Sequence, residues 1–110
     1  ELLFAAPPPR VAFLGDMLEL GSLQDAEHRA MGAATVGLDL VVAVGEASAL
    51  MREGNPAVRW AHDAVAAAAF LPDVPEGATV LVKGSRGVGL ERLVARLEER
   101  ARLADGKDRT

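Results

Sequence analysis

The segment "VLVKGSRGVGLERL" (residues 80–93) contains a complete connection from a strand to a helix. The apolar run Val80 to Val82 leads into Lys83, then into a glycine-rich loop and an amphipathic helix. An apolar run that leads into a glycine-rich loop and then into a helical pattern predicts a strand followed by a helix. We therefore assign a strand to residues 78–83, and we look for the same strand-then-helix unit elsewhere in the chain.

Three further strands precede this one. They are predicted in "RVAFLGD" (10–16), "LDLVVAVG" (38–45) and "AVRWA" (57–61). The third is the weakest, and Arg59 within it indicates a position near the edge of the sheet.

Helical patterns separate the strands. Ser22 with Asp25 resembles a capping box at the start of the first helix. His28 falls off the apolar stripe of that helix, which predicts a surface or half-buried structural histidine. The stripe comprises Leu23, Ala26, Ala30, Met31 and Ala34. A short helix over 46–53, an alanine-rich helix capped by Asp63, and a final helix beginning near Leu90 follow.

Fourfold alternation of strand and helix predicts an α/β fold, a Rossmann-like three-layer domain with a mostly parallel sheet and helices on both faces. A strand order of 3-2-1-4 would place the first strand beside the fourth, with their connections leaving in opposite directions. Ligands of such sheets bind at this switch point, outside the carboxyl ends of the strands. The loops "GDMLELG" (15–21) and "KGSRGVG" (83–89) would meet there.

The composition argues against several classes of protein and of binding site. The chain has 110 residues, a net charge of −4 and no cysteine, which argues against a general nucleic-acid binder, disulfides and thiolate metal sites. No apolar run approaches the roughly 20 residues that a membrane-spanning helix needs. We expect a cytoplasmic domain at 10–104, preceded at 1–9 by the end of a helix and a proline linker from a longer chain, and followed by a frayed tail at 105–110.

The loop after the fourth strand has the chemistry of an anion site. Its glycine spacing matches neither the phosphate loop nor the dinucleotide fingerprint. Lys83, Ser85 and Arg86 nevertheless flank a flexible turn at the start of a helix, where backbone N–H groups and cations favour an anion. The residues alone leave three interpretations open: a carboxylate clamp, a phosphate site, or a basic turn that is only solvated.

Three residues outside this loop are further candidates for the site. Asp16 ends the first strand and Glu19 lies in the loop after it, where a carboxylate could orient a cation or an amine. His62 follows the third strand and is a possible contributor to the rim of the cleft. Two histidines without a partner motif do not predict a metal site.

Four segments together carry a family resemblance: "VAFLGDMLELG", "EHRAMG", "DLVVAVGE" and "VLVKGSRGVGLERLV". They resemble the C-terminal domain of the Mur ligases, and among these the ligases that add D-alanyl-D-alanine to UDP-N-acetylmuramoyl-tripeptide in peptidoglycan synthesis. The resemblance covers roughly residues 10–100. The pairing of "LGDMLELG" with "KGSR" is its most specific part.

The resemblance implies an ATP-dependent amide-bond ligase of three domains. ATP and Mg2+ would be bound mainly by the central domain, the UDP-sugar peptide by the N-terminal domain, and this domain would close over both. The chain has no phosphate loop, so we expect it to be inactive alone and to bind no cofactor by itself. The resemblance also favours a carboxylate clamp for D-alanyl-D-alanine, built from Lys83, Ser85 and Arg86 with Asp16 and Glu19 nearby.

Two alternatives stay open at this point. The chain could be the same domain of another Mur ligase or of a folylpolyglutamate synthase, which differ in the incoming amino acid. It could also be a free-standing α/β binding module.

Overall fold

The computed structural model describes residues 5–18, 20–84 and 89–99. Four strands form one parallel sheet in the order β3-β2-β1-β4, as the sequence predicts. Strand β3 lies at one edge of this sheet and β4 at the other. The strands are β1 (Arg10–Gly15), β2 (Leu40–Val44), β3 (Arg59–Ala61) and β4 (Thr79–Lys83).

The helices alternate with the strands. Helix α1 (Gln24–Ala34) follows a 3-10 turn at Gly21–Leu23, and helix α2 (Met51–Gly54) continues a 3-10 turn at Ala47–Leu50. Helix α3 (Ala64–Ala67) runs into a 3-10 segment at Ala68–Asp73. Helix α4 begins at residue 91 and is described as far as residue 99. Asp63 caps α3 as predicted, since its Oδ1 accepts the N–H of Ala66 at 2.8 Å.

Each face of the sheet has its own apolar core, so the three-layer architecture is confirmed. Side chains alternate between the two faces of a strand, and β1 and β2 are therefore buried on both. One face packs against α3 and the region of α4, and the other against α1 and α2. The first core includes Val11, Phe13, Val42, Val44, Ala64, Ala67, Leu90 and Leu93; the second includes Ala12, Leu14, Val41, Ala43, Met51 and Val58.

The buried face of α1 differs from the predicted one. Its buried positions are His28 and Gly32, followed by Thr35 just after the helix, whereas Leu23 is 60% exposed. The alanines of the predicted stripe are exposed as well, and Met31 is half-buried. The physical reason is close helix packing: a Cβ at Gly32 would overlap the backbone of Met51, so a small residue lets α2 approach α1.

The predicted capping box is also wrong. The chain enters α1 through the 3-10 turn, with the N–H of Leu23 bonded to the carbonyl of Leu20, and no side chain caps either element. The carboxyl end of α1 is held by side chains. The Thr35 hydroxyl donates to the carbonyl of Gly32 at 2.6 Å and accepts from Asn55 Nδ2 at 3.0 Å.

A surface ion pair links α1 to α2. Arg29 Nε donates to Glu53 Oε1 at 2.7 Å, and this hydrogen bond, with the charge of Glu53, raises the pKa of Arg29. Both side chains are about half exposed, so the pair contributes little to stability. Within the described ranges, no helix has the length and apolar character to cross a membrane.

Candidate functional site

Strands β1 and β4 leave the sheet in direct contact. Leu14 is paired with Lys83 in the parallel register, and the following residues, Gly15 and Gly84, meet. A Cβ atom at Gly84 would lie 2.9 Å from the Cα of Gly15 and 3.1 Å from its nitrogen. The loop from β1 leads to α1 on one face of the sheet, and the loop from β4 leads to α4 on the other. The predicted switch point is therefore present.

Lys83 is exposed at the carboxyl end of the edge strand β4. Its neighbour Val82 packs against the core under α3 and α4, and side chains alternate along a strand, so Lys83 lies on the opposite face from Val82. The other loop candidates, Ser85, Arg86 and Glu19, lie outside the described residues.

Asp16 turns its carboxylate away from β4, towards the loop after β2. Its Oδ1 accepts the backbone N–H and the hydroxyl of Ser48, each at 2.7 Å, and its Oδ2 lies 3.4 Å from the N–H of Ala47. The carboxylate thus satisfies the N–H groups at the start of the 3-10 turn that leads into α2, where a negative charge is favourable. Ser48 is fully buried, so this contact is part of the fold.

Gly45 makes room for Asp16. Its φ of +112° is a backbone conformation that side-chain-bearing residues rarely adopt, and a Cβ there would lie 2.5 Å from the Asp16 carboxyl group. The carbonyl of Gly45 accepts Trp60 Nε1 at 2.7 Å. The β2 exit is thereby fixed to both neighbouring strands.

His28 fixes the other side of the β1 exit. It is fully buried; its Nε2 lies 3.1 Å from the backbone N–H of Met17, and its Nδ1 lies 2.6 Å from the carbonyl of Gln24. The prediction of a structural histidine agrees with these two contacts, whereas its expected surface or half-buried position was wrong. A buried imidazole is tolerated because both ring nitrogens have partners.

His62 lies apart from the switch point. It is exposed, and its ring meets Trp60 edge-on at 6.3 Å between centroids. Strand β3 is three positions from β4 in the sheet, about 14 Å at the usual strand spacing. His62 can therefore contribute to an outer rim but not to a clamp that includes Lys83.

Sequence reasoning missed two residues that shape this edge, Gly45 and Ser48, and misplaced a third, His28. The pattern "VGEAS" (44–48), a glycine and then a serine just after a strand, is a signal that could have found the first two. His28 carries no such signal, because its partner is a backbone N–H in a loop.

Exposed Lys83 brings positive charge to the switch point, and the Asp16 carboxylate there is directed towards Ser48. Among the residues with described positions, no three His, Asp or Glu side chains are grouped so as to hold a metal ion.

Comparison with known proteins finds relatives of this chain. The chain is 33% identical over 104 residues to the UDP-N-acetylmuramoyl-tripeptide–D-alanyl-D-alanine ligase of Escherichia coli K12, a match that spans 90% of the chain and 23% of that enzyme. A MurF crystal structure from Acinetobacter baumannii superposes with a TM-score of 0.78 at 31% identity, covering 89% of the chain and 23% of that protein.

The resemblance to the Mur ligase family is confirmed. A third relative, MurF from Thermotoga maritima in complex with ADP, has a TM-score of 0.75 and 27% identity, with 88% of the chain and 23% of that protein covered. The fold is that of the Mur ligase C-terminal domain. The chain spans about 23% of the length of these MurF ligases. No family model matches it.

Proposed function

We propose that the chain is the C-terminal domain of an ATP-dependent ligase that joins D-alanyl-D-alanine to UDP-N-acetylmuramoyl-tripeptide. The observation that carries this proposal is the match to the Escherichia coli ligase of that name along 90% of the chain. In the cell, the product would be a precursor of peptidoglycan, made in the cytoplasm.

Within this function the domain holds the incoming amino substrate. D-alanyl-D-alanine has an amine that must reach the reacting carboxyl group and, at its other end, a carboxylate that can be gripped. Lys83, Ser85 and Arg86 would bind that carboxylate at the switch point, and a phosphate oxygen is the second candidate for the same residues. Bidentate and charge-assisted hydrogen bonds from Arg and Lys suit a carboxylate well.

The two acidic candidates have different roles in this proposal. The Asp16 carboxylate is occupied by Ser48, so Asp16 shapes the loop rather than contacting the substrate. Glu19 stays a candidate for contact with the substrate amine. His62 contributes at most to the outer rim.

Domain closure completes the site. ATP and Mg2+ would be held mainly by the central domain, and the UDP-sugar peptide by the N-terminal domain. Holding an amine against an activated carboxyl group is a task of positioning and of excluding water, and both are served by closing one domain over another. The chain alone should therefore catalyse no ligation.

The test is a ligation assay on the full-length protein that carries this domain. Amide formation and ADP release are measured with D-alanyl-D-alanine, glutamate or diaminopimelate as the incoming amino compound, and the 110-residue chain alone serves as the control. Turnover with the dipeptide, and not with the two amino acids, is expected. A preference for glutamate or diaminopimelate would assign the chain to another Mur ligase or to a folylpolyglutamate synthase.

A further inference from the structure

The loop that leaves β1 is fixed at two points just after the switch point. Asp16 is held through its side chain by Ser48, and its own N–H donates to the carbonyl of Val44 at 3.2 Å. The next residue, Met17, is held through its backbone N–H by His28.

The two contacts of His28 define its protonation state. The N–H of Met17 can only donate, so Nε2 must accept and carries no proton. The carbonyl of Gln24 can only accept, so Nδ1 must carry the proton. Both contacts are satisfied by one form of the ring, the neutral Nδ1–H tautomer.

The Met17 contact is not required by helix α1 itself. The bond from Nδ1 to Gln24 lies within α1 and its N-terminal turn, and it would orient the ring in any surroundings. The bond to Met17 joins α1 to a loop 11 residues earlier in the chain. It therefore selects one backbone path for that loop, as a partner behind a binding group does when it fixes the group's orientation.

We propose that His28 is a positioning residue for the incoming amino substrate. As the neutral Nδ1–H tautomer it holds the N–H of Met17, and this sets the path of residues 16–18 as the chain leaves β1 beside the Gly15–Gly84 contact. The inference rests on the proposed function, because it assigns the loop a part in holding the substrate.

Two amide variants separate positioning from packing. In His28→Gln, the side-chain oxygen can reach the place of Nε2 and accept the N–H of Met17. In His28→Asn, the shorter amide can take the place of Nδ1 and donate to Gln24, but it cannot reach Met17. Glutamine should therefore restore the loop contact, and asparagine only the contact within the helix.

The first measurement uses the 110-residue chain. Nitrogen-15 spectra of the wild-type imidazole should show a protonated Nδ1 and an unprotonated Nε2, and the Met17 amide should be protected from hydrogen exchange. Protection should persist in His28→Gln and be lost in His28→Asn. An Nε2–H or doubly protonated ring, or equal protection of Met17 in both variants, would overturn the proposal.

The second measurement uses the full-length protein. His28→Asn should lower kcat/KM for D-alanyl-D-alanine about tenfold or more, since misplaced binding groups are costly, while the KM for ATP is unchanged. His28→Gln should stay within about threefold of wild type. Equal losses in both variants, or a larger loss in the glutamine variant, would contradict positioning. If the wild-type protein ligates nothing, the proposed function fails, and the Met17 measurement still decides whether His28 sets the loop.

Discussion

Gly84 packs directly against Gly15, at the point where β4 and β1 leave the sheet. Neither residue has a side chain, and the two backbones lie so close that a Cβ added at Gly84 would be 2.9 Å from the Cα of Gly15. This contact brings the two polar loops of the chain to one place, and the carboxylate site that we propose depends on it.

Adding a single methyl group at this contact should be costly. In Gly84→Ala the Cβ would meet the Gly15 backbone at 2.9 Å and Leu90 Cδ1 at 2.8 Å. Leu90 can rotate, whereas the β1 backbone cannot move without disturbing the sheet. We expect a loss of about 1–3 kcal/mol in the free energy of unfolding, measured by denaturant titration.

Gly21→Ala is the matched control for that experiment. Gly21 has a φ of +58° and no atom within 4 Å of an added Cβ, so its substitution tests backbone conformation without crowding. Gly21→Ala should lower the free energy of unfolding by about 1–2 kcal/mol and leave the β1–β4 contact intact. If Gly84→Ala is as stable as wild type, the close approach of the two strands is wrong.

The Asp16 carboxylate should stabilise the fold through Ser48. Asp16→Ala leaves the buried N–H and hydroxyl of Ser48 without their acceptor, which should cost about 1–3 kcal/mol. Asp16→Asn retains an oxygen in that place and should cost less. Asp73→Ala, at an exposed position, should lie within about 0.5 kcal/mol of wild type. Thermal or denaturant unfolding measures all three, and an Asp16→Ala variant as stable as the Asp73 control would contradict a structural role.

Close packing of α1 on α2 should reverse the usual effect of alanine in a helix. Replacing a helical glycine by alanine normally stabilises by about 1 kcal/mol. At Gly32 the added Cβ would overlap the Met51 backbone, so Gly32→Ala should instead destabilise by about 1–3 kcal/mol. The control is Ala30→Gly at an exposed position of the same helix. It should lower the free energy of unfolding through helix propensity alone. A stabilised Gly32→Ala variant would show that the helices are farther apart than described.

The hydroxyl of Thr35 should matter more than its volume. Thr35→Val keeps the shape of the side chain but leaves Asn55 Nδ2 without its acceptor in a buried site. The free energy of unfolding should fall by about 1–3 kcal/mol. A double-mutant cycle with Asn55→Ala should show coupling between the two positions. Strict additivity of the two losses would argue that the hydrogen bond contributes nothing.

Strand order was predictable from the sequence because its signals are simple. Buried parallel strands appear as continuous apolar runs, such as "VAFLG" (11–15), and a break such as Arg59 indicates an edge. Right-handed crossovers then leave few arrangements, and the observed order is the predicted one.

The buried face of α1 was not predictable by the same means. A search for apolar periodicity selects Leu23 and the alanines of α1, which are exposed, and does not select His28, Gly32 and Thr35. These three are buried because a close backbone or a hydrogen-bond partner is available, and both are tertiary features. The structural role of Asp16 was not predictable for the same reason, because its partner Ser48 lies 32 residues away in sequence.

The most direct test of the proposed site is a comparison of cations at the two edges of the sheet. In the full-length protein, Lys83→Ala and Arg86→Ala are assayed beside Arg59→Ala, an exposed cation on the far edge strand. The first two should each lower kcat/KM for D-alanyl-D-alanine about tenfold or more, chiefly by raising the KM of the dipeptide. Arg59→Ala should change kcat/KM for D-alanyl-D-alanine little. Dipeptide kinetics that are unaltered in both the Lys83 and the Arg86 variant would contradict a carboxylate site between the exits of β1 and β4.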